Sequence, residues 1–368
     1  MSATPRSPAR GRPSAAGDDT PAALGAASAR PELPWLAGPL TEALRVQRAH
    51  ALLVHGPQGV GQFEFALALA AAWLCETSES ERPEGRACGH CASCRLVAAR
   101  SHPDLRLVVP EVLRAEAGLA GDEAGTDDEG KKRKPSREIK VDQIRSALDF
   151  SELTAGRARF KVVVLHPAEQ VNDVAANALL KTLEEPPGAL RFVLSCGAPQ
   201  ALLPTIRSRC QSVRLGLPPH ELAVVWLAGQ GVPDAEVVLD ACGGQPLAAL
   251  ELARAGLDAA AWRDFPQWVA QGRAAAVATW PLPVLVAALQ KLCHDQLLLR
   301  VGAPPRYFKA LALPAGADLA RLTAWAAQLR RMAAQADHPW HMGLTVEALM
   351  LQARQAGSGP AQPIHSRA

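Results

Sequence analysis

The sequence predicts an α/β chain, with a mostly parallel sheet wrapped by helices and then segments that are helical throughout. Three observations carry this. From about residue 34 to 215, short aliphatic or β-branched runs alternate with helical patterns, and such alternation builds βαβ units. A glycine-rich turn, Gly56-Pro57-Gln58-Gly59-Val60-Gly61, joins an apolar run to a helix-prone one, which is the strand–loop–helix setting of a phosphate loop. After Leu217-Pro218-Pro219 the strand signals stop and helical periodicity continues alone.

Taken in order, residues 1–31 are rich in Ala, Pro, Ser and Arg. They lack the apolar stretch of a secretory signal and read as a disordered tail. Strands are expected at Ala51–Val54, Leu105–Val109, Phe160–Leu165, Arg191–Ser195 and Ser212–Leu215. Helices are expected between them at Gln62–Leu74, Val141–Glu152, Val171–Glu185 and Gln200–Ile206. The third of these helices has the clearest stripe: Val171, Val174, Ala175, Ala178, Leu179, Thr182 and Leu183 recur at helical spacing, and Pro186-Pro187 ends it. The α/β core is thus bounded at 32–216, with a cysteine module at 75–94 inside it. Residues 111–138 read as a disordered insertion, an acidic block followed by Lys131-Lys132-Arg133-Lys134. A basic tetrad can touch DNA or RNA, but the neighbouring acids largely neutralise it. A small helical unit follows at 217–258. A second all-helical region is set at 259–357, with long helices at Pro283–Arg300, Leu319–Gln335 and Leu344–Ala356, and 358–368 form a tail.

Hydrophobic residues make up 48% and charged residues 20%, with a net charge of +3. That composition suits a soluble globular protein and implies no strongly nucleic-acid-binding surface. No run approaches the roughly 18 apolar residues of a membrane span, so a cytoplasmic protein with no membrane partner is expected. Eight cysteines, four of them clustered, fit a reducing compartment and a metal better than disulfides.

Cys88-Gly-His-Cys91-Ala-Ser-Cys94 gives three thiols at two-residue gaps, with Cys75 upstream. Four thiolates so spaced can close a tetrahedron around a structural Zn²⁺ and leave no position open for water. An iron–sulfur cluster is a weaker reading, because the bacterial pattern needs a further Cys where Ala98 and Ala99 stand. His90 and His102 are possible substitutes for one thiol.

Two nucleotide motifs keep their frames and lose their chemistry. In a working phosphate loop, Lys reaches the phosphates and a hydroxyl holds Mg²⁺. Here Gln62 and Phe63 occupy those places, although Gly56 and Gly61 remain. At the end of the strand Lys161–Leu165, where an NTPase carries Asp-Glu for Mg²⁺ and water, this chain has His166-Pro167. An accidental glycine-rich turn explains the first stretch alone equally well. Two failures with the framework kept argue instead for a fold retained and hydrolysis lost, so no ATP binding is expected.

The stretch Asn177-Ala-Leu-Leu-Lys-Thr-Leu-Glu-Glu-Pro-Pro187, followed by Leu203-Pro-Thr-Ile-Arg-Ser-Arg-Cys210, resembles the subunits of the bacterial sliding-clamp loader, an AAA+ assembly. Broken motifs beside an intact Ser208-Arg209-Cys210 most closely resemble the delta-prime family of DNA polymerase III. The resemblance implies an AAA+ P-loop-type parallel-sheet core with an embedded zinc module, a small helical lid at 217–258 and a C-terminal helical collar at 259–357 within a ring of five subunits. It implies gamma/tau and delta subunits as partners, with the beta sliding clamp and primer-template DNA reached through the complex. It further implies Arg209 as an arginine finger acting in trans, with Ser208 and Cys210 as motif neighbours. No intrinsic ATPase is expected, only membership of the DNA polymerase III holoenzyme. Active relatives carry a nucleotide-sensing Arg where Gly243-Gly244-Gln245-Pro246 offers none. Three alternatives stand beside this reading: an active P-loop ATPase of the gamma/tau type, a zinc-dependent nucleic-acid-binding module, and Arg207 and Arg209 as ordinary surface charges.

Overall fold

Five parallel strands, Leu105–Val108, Lys161–Leu165, Leu190–Cys196, Ala51–His55 and Gln211–Arg214, lie side by side in that order. They belong to the computed structural model of the chain, which describes residues 32–47, 49–119, 135–157, 159–309, 313, 318–335 and 340–357. The tails at 1–31 and 358–368 and the basic tetrad at 131–134 fall outside these residues. In chain order the first part comprises α1 (Ala37–Val46), β1 (Ala51–His55), α2 (Gln62–Leu74), α3 (Ala92–Ala98), β2 (Leu105–Val108), α4 (Val141–Glu152), β3 (Lys161–Leu165), α5 (Asp173–Glu184), β4 (Leu190–Cys196), α6 (Pro204–Arg207) and β5 (Gln211–Arg214). Helices α7 (His220–Gly229), α8 (Ala235–Ala241) and α9 (Pro246–Arg254) follow, then α10 (Ala259–Gln271), α11 (Leu282–Arg300), α12 (Leu319–Ala334) and α13 (Met342–Gly357).

The strands are apolar without a break because both faces of the sheet are covered. Leu52, Val54, Val162, Val164 and Val193 pack against α2 in a core that α1 and α7–α9 complete. Their alternates Ala51, Leu53, Val163, Leu165, Phe192 and Leu194 pack on α4, α5 and α6. A separate apolar core joins α10–α13 around Trp262, Phe265, Leu289 and Trp325. By length and composition α11 is apolar enough to cross a membrane, but its Leu285, Leu289, Leu292 and Cys293 are buried in this core. One turn on, the fully buried Asp295 accepts the backbone N–H groups of Arg306 (3.0 Å), Tyr307 (2.7 Å) and Phe308 (2.9 Å). The segment pinned in this way reaches α8, where Lys309 Nζ meets Asp240 Oδ1 at 2.5 Å.

Two expectations change. The helix expected over Gln200–Ile206 is broken, because Leu203 is extended (ψ 133°) ahead of Pro204 at the first helical position of α6. The insertion expected to be disordered over 111–138 is ordered at both ends. The Ser136 N–H donates to Glu111 Oε2 (2.7 Å) and Val112 N–H donates to Ser136 O (3.2 Å), so the two ends lie side by side.

Candidate functional site

The glycine-rich loop leaves the end of β1 and enters α2, and its bend is the one the motif requires. A Cβ at Gly56 would stand 2.2 Å from the Leu215 carbonyl oxygen, and Gly61 adopts φ +100°. Only glycine fits the first position, and the second strains any other residue. The loop is nevertheless closed by its own chain. The Gln62 side chain, 6% exposed, turns back and donates Nε2–H to Gly56 O (2.8 Å) and Pro57 O (2.6 Å). Val60 O accepts the Trp35 indole N–H at 2.9 Å, and Gly59 O accepts the backbone N–H of Leu247 at 3.0 Å. The last contact sets the start of α9, with its Gly243–Pro246 approach, directly on the loop. An amide therefore sits where the motif calls for an ammonium, and its N–H groups are bonded to the loop's own carbonyls.

The second motif converges on the same place because β3 and β1 are separated only by β4. Phe63 and His166, which stand at the two metal-ligand positions, lie ring on ring with centroids 4.8 Å apart and planes 28° apart. His166 Nδ1 is 2.9 Å from Ser195 Oγ, whose hydroxyl donates to Leu165 O at 3.3 Å. Pro167 offers no ligand. Glu169 Oε1 accepts Gly197 N–H at 2.8 Å and Ala198 N–H at 3.3 Å. Where a magnesium site would need oxygen ligands, this fold has a closed aromatic contact.

The cysteines come together as the spacing predicts. Cys75, Cys88, Cys91 and Cys94 place their four sulfurs within 4.8 Å of one another. Cys75–Cys91 and Cys88–Cys94 are both 3.9 Å apart, and a tetrahedron of 2.3 Å metal–sulfur bonds has edges of about 3.8 Å. Backbone N–H groups point at the sulfurs: Cys91 to Cys88 Sγ and Cys94 to Cys91 Sγ, both 3.4 Å. Hydrogen bonding with Thr77, then with the Cys91 and His90 backbone, pulls the Cys88 thiol down to about 5, while burial pushes Cys94 up. The group could hold a metal ion. Neither histidine joins it. His90 Nδ1 lies 2.9 Å from Cys88 O, and His102, 3% exposed, accepts Asp104 N–H on Nδ1 (3.0 Å) and meets Ser93 Oγ through Nε2 (3.0 Å). Ser93 passes its own hydrogen to Glu76 (3.0 Å), which also takes Arg157 (2.8 Å). Asp104 accepts the Gly156 and Arg157 N–H groups at 2.6 and 2.8 Å. This network ties the cysteine module to the start of β2.

Arg209 lies just beyond α6. Its Nε and Nη2 both donate to Glu184 Oε1, Nε at 2.6 Å, and its Nη1 donates to Thr205 O at 2.9 Å. Ser208 is exposed and its hydroxyl donates to Thr205 O at 3.0 Å. Cys210 is partly buried against the core on the α6 face of the sheet, and burial raises its thiol to about 12. Arg207 is exposed. Sequence reasoning missed Trp35, Ser195 and the pairing role of Glu184. The first two sit in no motif, and Glu184 stood inside a motif that carries no hint of its partner.

A family described as DNA polymerase III, delta subunit, matches residues 39–218. The chain is similar to the DNA polymerase III subunit delta′ of Pseudomonas aeruginosa, 39% identical over 214 residues, covering 56% of this chain and 57% of that protein. It is also similar to the DNA polymerase III subunit tau of Escherichia coli K12, 32% identical over 166 residues, covering 45% of this chain and 21% of that protein. The chain thus spans little more than half the length of the delta′ relative. Among solved structures, a DNA polymerase III gamma subunit-related protein of Thermotoga maritima superposes with a TM-score of 0.41 at 17% identity, over 87% of this chain and 98% of that one.

Proposed function

From the premise that this chain is, through residues 39–218, a member of the clamp-loader subunit family of DNA polymerase III, we propose that it is a non-hydrolysing, delta-prime-type subunit of that loader. The contact of Phe63 with His166 carries the reading. Both metal-ligand positions are spent on an aromatic contact, and Gln62 fills the loop beside them. No Mg·ATP is expected to bind in this chain.

The chain's contribution to chemistry then lies at Arg209. A guanidinium brought against the γ-phosphate of a neighbouring gamma/tau subunit neutralises charge that develops as the phosphoryl group leaves. Ser208 and Cys210 flank it as motif neighbours. In this reading the gamma/tau and delta subunits are the direct partners, and the beta clamp and primer-template DNA are met through the assembled complex in the cytoplasm. The four cysteines hold a structural Zn²⁺, since a closed four-thiolate set leaves no open coordination position. Helices α7–α9 act as lid and α10–α13 as collar.

The likeness to tau raises an ATPase as the second reading. Purified chain tested for magnesium-dependent ATP hydrolysis separates the two: phosphate release above background, abolished by Gln62→Ala, would overturn the non-hydrolysing role. For the trans-acting role, the loader is reconstituted with Arg209→Ala and with Arg207→Ala as control. Slower DNA-stimulated hydrolysis for Arg209→Ala alone, in a fully assembled complex, is the expected result.

A further inference from the structure

We infer that Glu184 is a positioning residue for Arg209, holding the guanidinium in the orientation in which a neighbouring subunit meets it; the inference rests on the trans-acting role proposed above. Glu184 is the last residue of α5, one residue after Leu183, which is buried at 1% exposure. Its carboxylate therefore stands on a helix end fixed by the core, and Pro186-Pro187 stops the chain from continuing the helix. Thr205, the other partner, lies in α6. The guanidinium is clamped between the ends of two helices that pack on the same face of the sheet.

The distribution of donors distinguishes a positioner from a competitor. A guanidinium has five N–H groups in a planar fork. Nε and Nη2 share one edge, and both go to the same oxygen, Glu184 Oε1; one Nη1–H goes to Thr205 O. One Nη2–H is left, and the second Nη1–H makes only a long contact. Ser208 Oγ stands 3.4 Å from Nη1, at the outer limit of a hydrogen bond. The far edge of the fork can therefore meet an anion while the Glu184 pair stays closed. Arg209 and Glu184 side chains are 31% and 49% exposed, so the pair stands at the surface, where another subunit can reach it. A long, flexible side chain fixed beforehand loses less freedom when the partner arrives.

The test uses the reconstituted loader with full-length chains, measuring DNA-stimulated ATP hydrolysis for wild type, Glu184→Ala, Glu184→Gln, Arg209→Ala and the Glu184→Ala/Arg209→Ala double variant. Glu184→Ala should lower kcat by at most about fivefold, the scale of a part-exposed ion pair, with KM for ATP unchanged. Glu184→Gln should retain most of the rate, because its amide oxygen still accepts both N–H groups. The double variant should equal Arg209→Ala alone, since the two residues act as one unit. If Arg209→Ala slows hydrolysis but Glu184→Ala matches or exceeds wild type, the positioning role is overturned and the trans-acting role stands. A double variant slower than Arg209→Ala would place the effect of Glu184 elsewhere and also overturn the inference. Wild-type rates for Arg209→Ala would remove the trans-acting role itself, and the inference with it.

Discussion

Replacing Gln62 by Ala should loosen the phosphate-type loop locally without unfolding the chain. The side chain is 6% exposed and makes two hydrogen bonds, to Gly56 O at 2.8 Å and Pro57 O at 2.6 Å. Each neutral bond contributes about 0.5–1.5 kcal/mol net, so losing both should cost about 2 kcal/mol. A difference of about 2 kcal/mol in opening free energy is roughly a thirtyfold change in an equilibrium constant. Two amides report on the loop: Leu247 N–H, which donates to Gly59 O at 3.0 Å, and Phe65 N–H, which donates to Gly61 O at 2.9 Å. Both should exchange roughly ten- to thirtyfold faster in the variant, because local opening governs their exchange. The Leu322 amide, bonded to Asp318 O at 3.0 Å in the C-terminal core, serves as the unchanged control. If Leu247 and Phe65 exchange within about threefold of wild type, the amide does not hold the loop, and the account of why the cradle is closed is wrong.

Cys91→Ser should reduce metal content from about one zinc per chain, since it removes one of four thiolates; elemental analysis checks this, and metal-free wild type purified without chelator would refute the site. Burial lowers the pKa of His102 below its ordinary 6.5, so the unfolded chain takes up its proton first on acidification. Stability from the neutral ring is present above pH 6.5 and is lost as pH falls through the lowered folded value. Urea midpoints at about pH 7.5 and about pH 5.5 should therefore differ more for wild type than for His102→Gln. His55, also lowered by burial and by Arg214, titrates in both proteins and cancels in the comparison. Asp295→Ala strips three backbone N–H groups of their buried acceptor and should cost about 3–5 kcal/mol in urea unfolding; a loss under about 1 kcal/mol would show that the turn at 306–308 needs no carboxylate.

The local patterns were legible wherever one residue type decides one geometry. The α/β class, the bounds of α2 and α4, the four thiols and the failure of both nucleotide motifs all follow from spacing and from side-chain chemistry that is present or missing. Gln62, Phe63, His166 and Pro167 could be read as departures from both motifs, because they bring neither the ammonium nor the hydroxyl and carboxylates that the motifs call for. What they do instead was decided by the tertiary structure. The Gln62 amide turns back within its own loop onto Gly56 and Pro57, whereas the seating of Leu247 on Gly59 needs α9 packed against the loop, and the meeting of Phe63 with His166 needs the order of strands β3, β4 and β1. The same holds for Arg209. Its motif marks it as a candidate, but its partner lies 25 residues away at the end of α5. A pair so distant in sequence leaves no periodicity or spacing to read, and only packing on the shared sheet face brings it together.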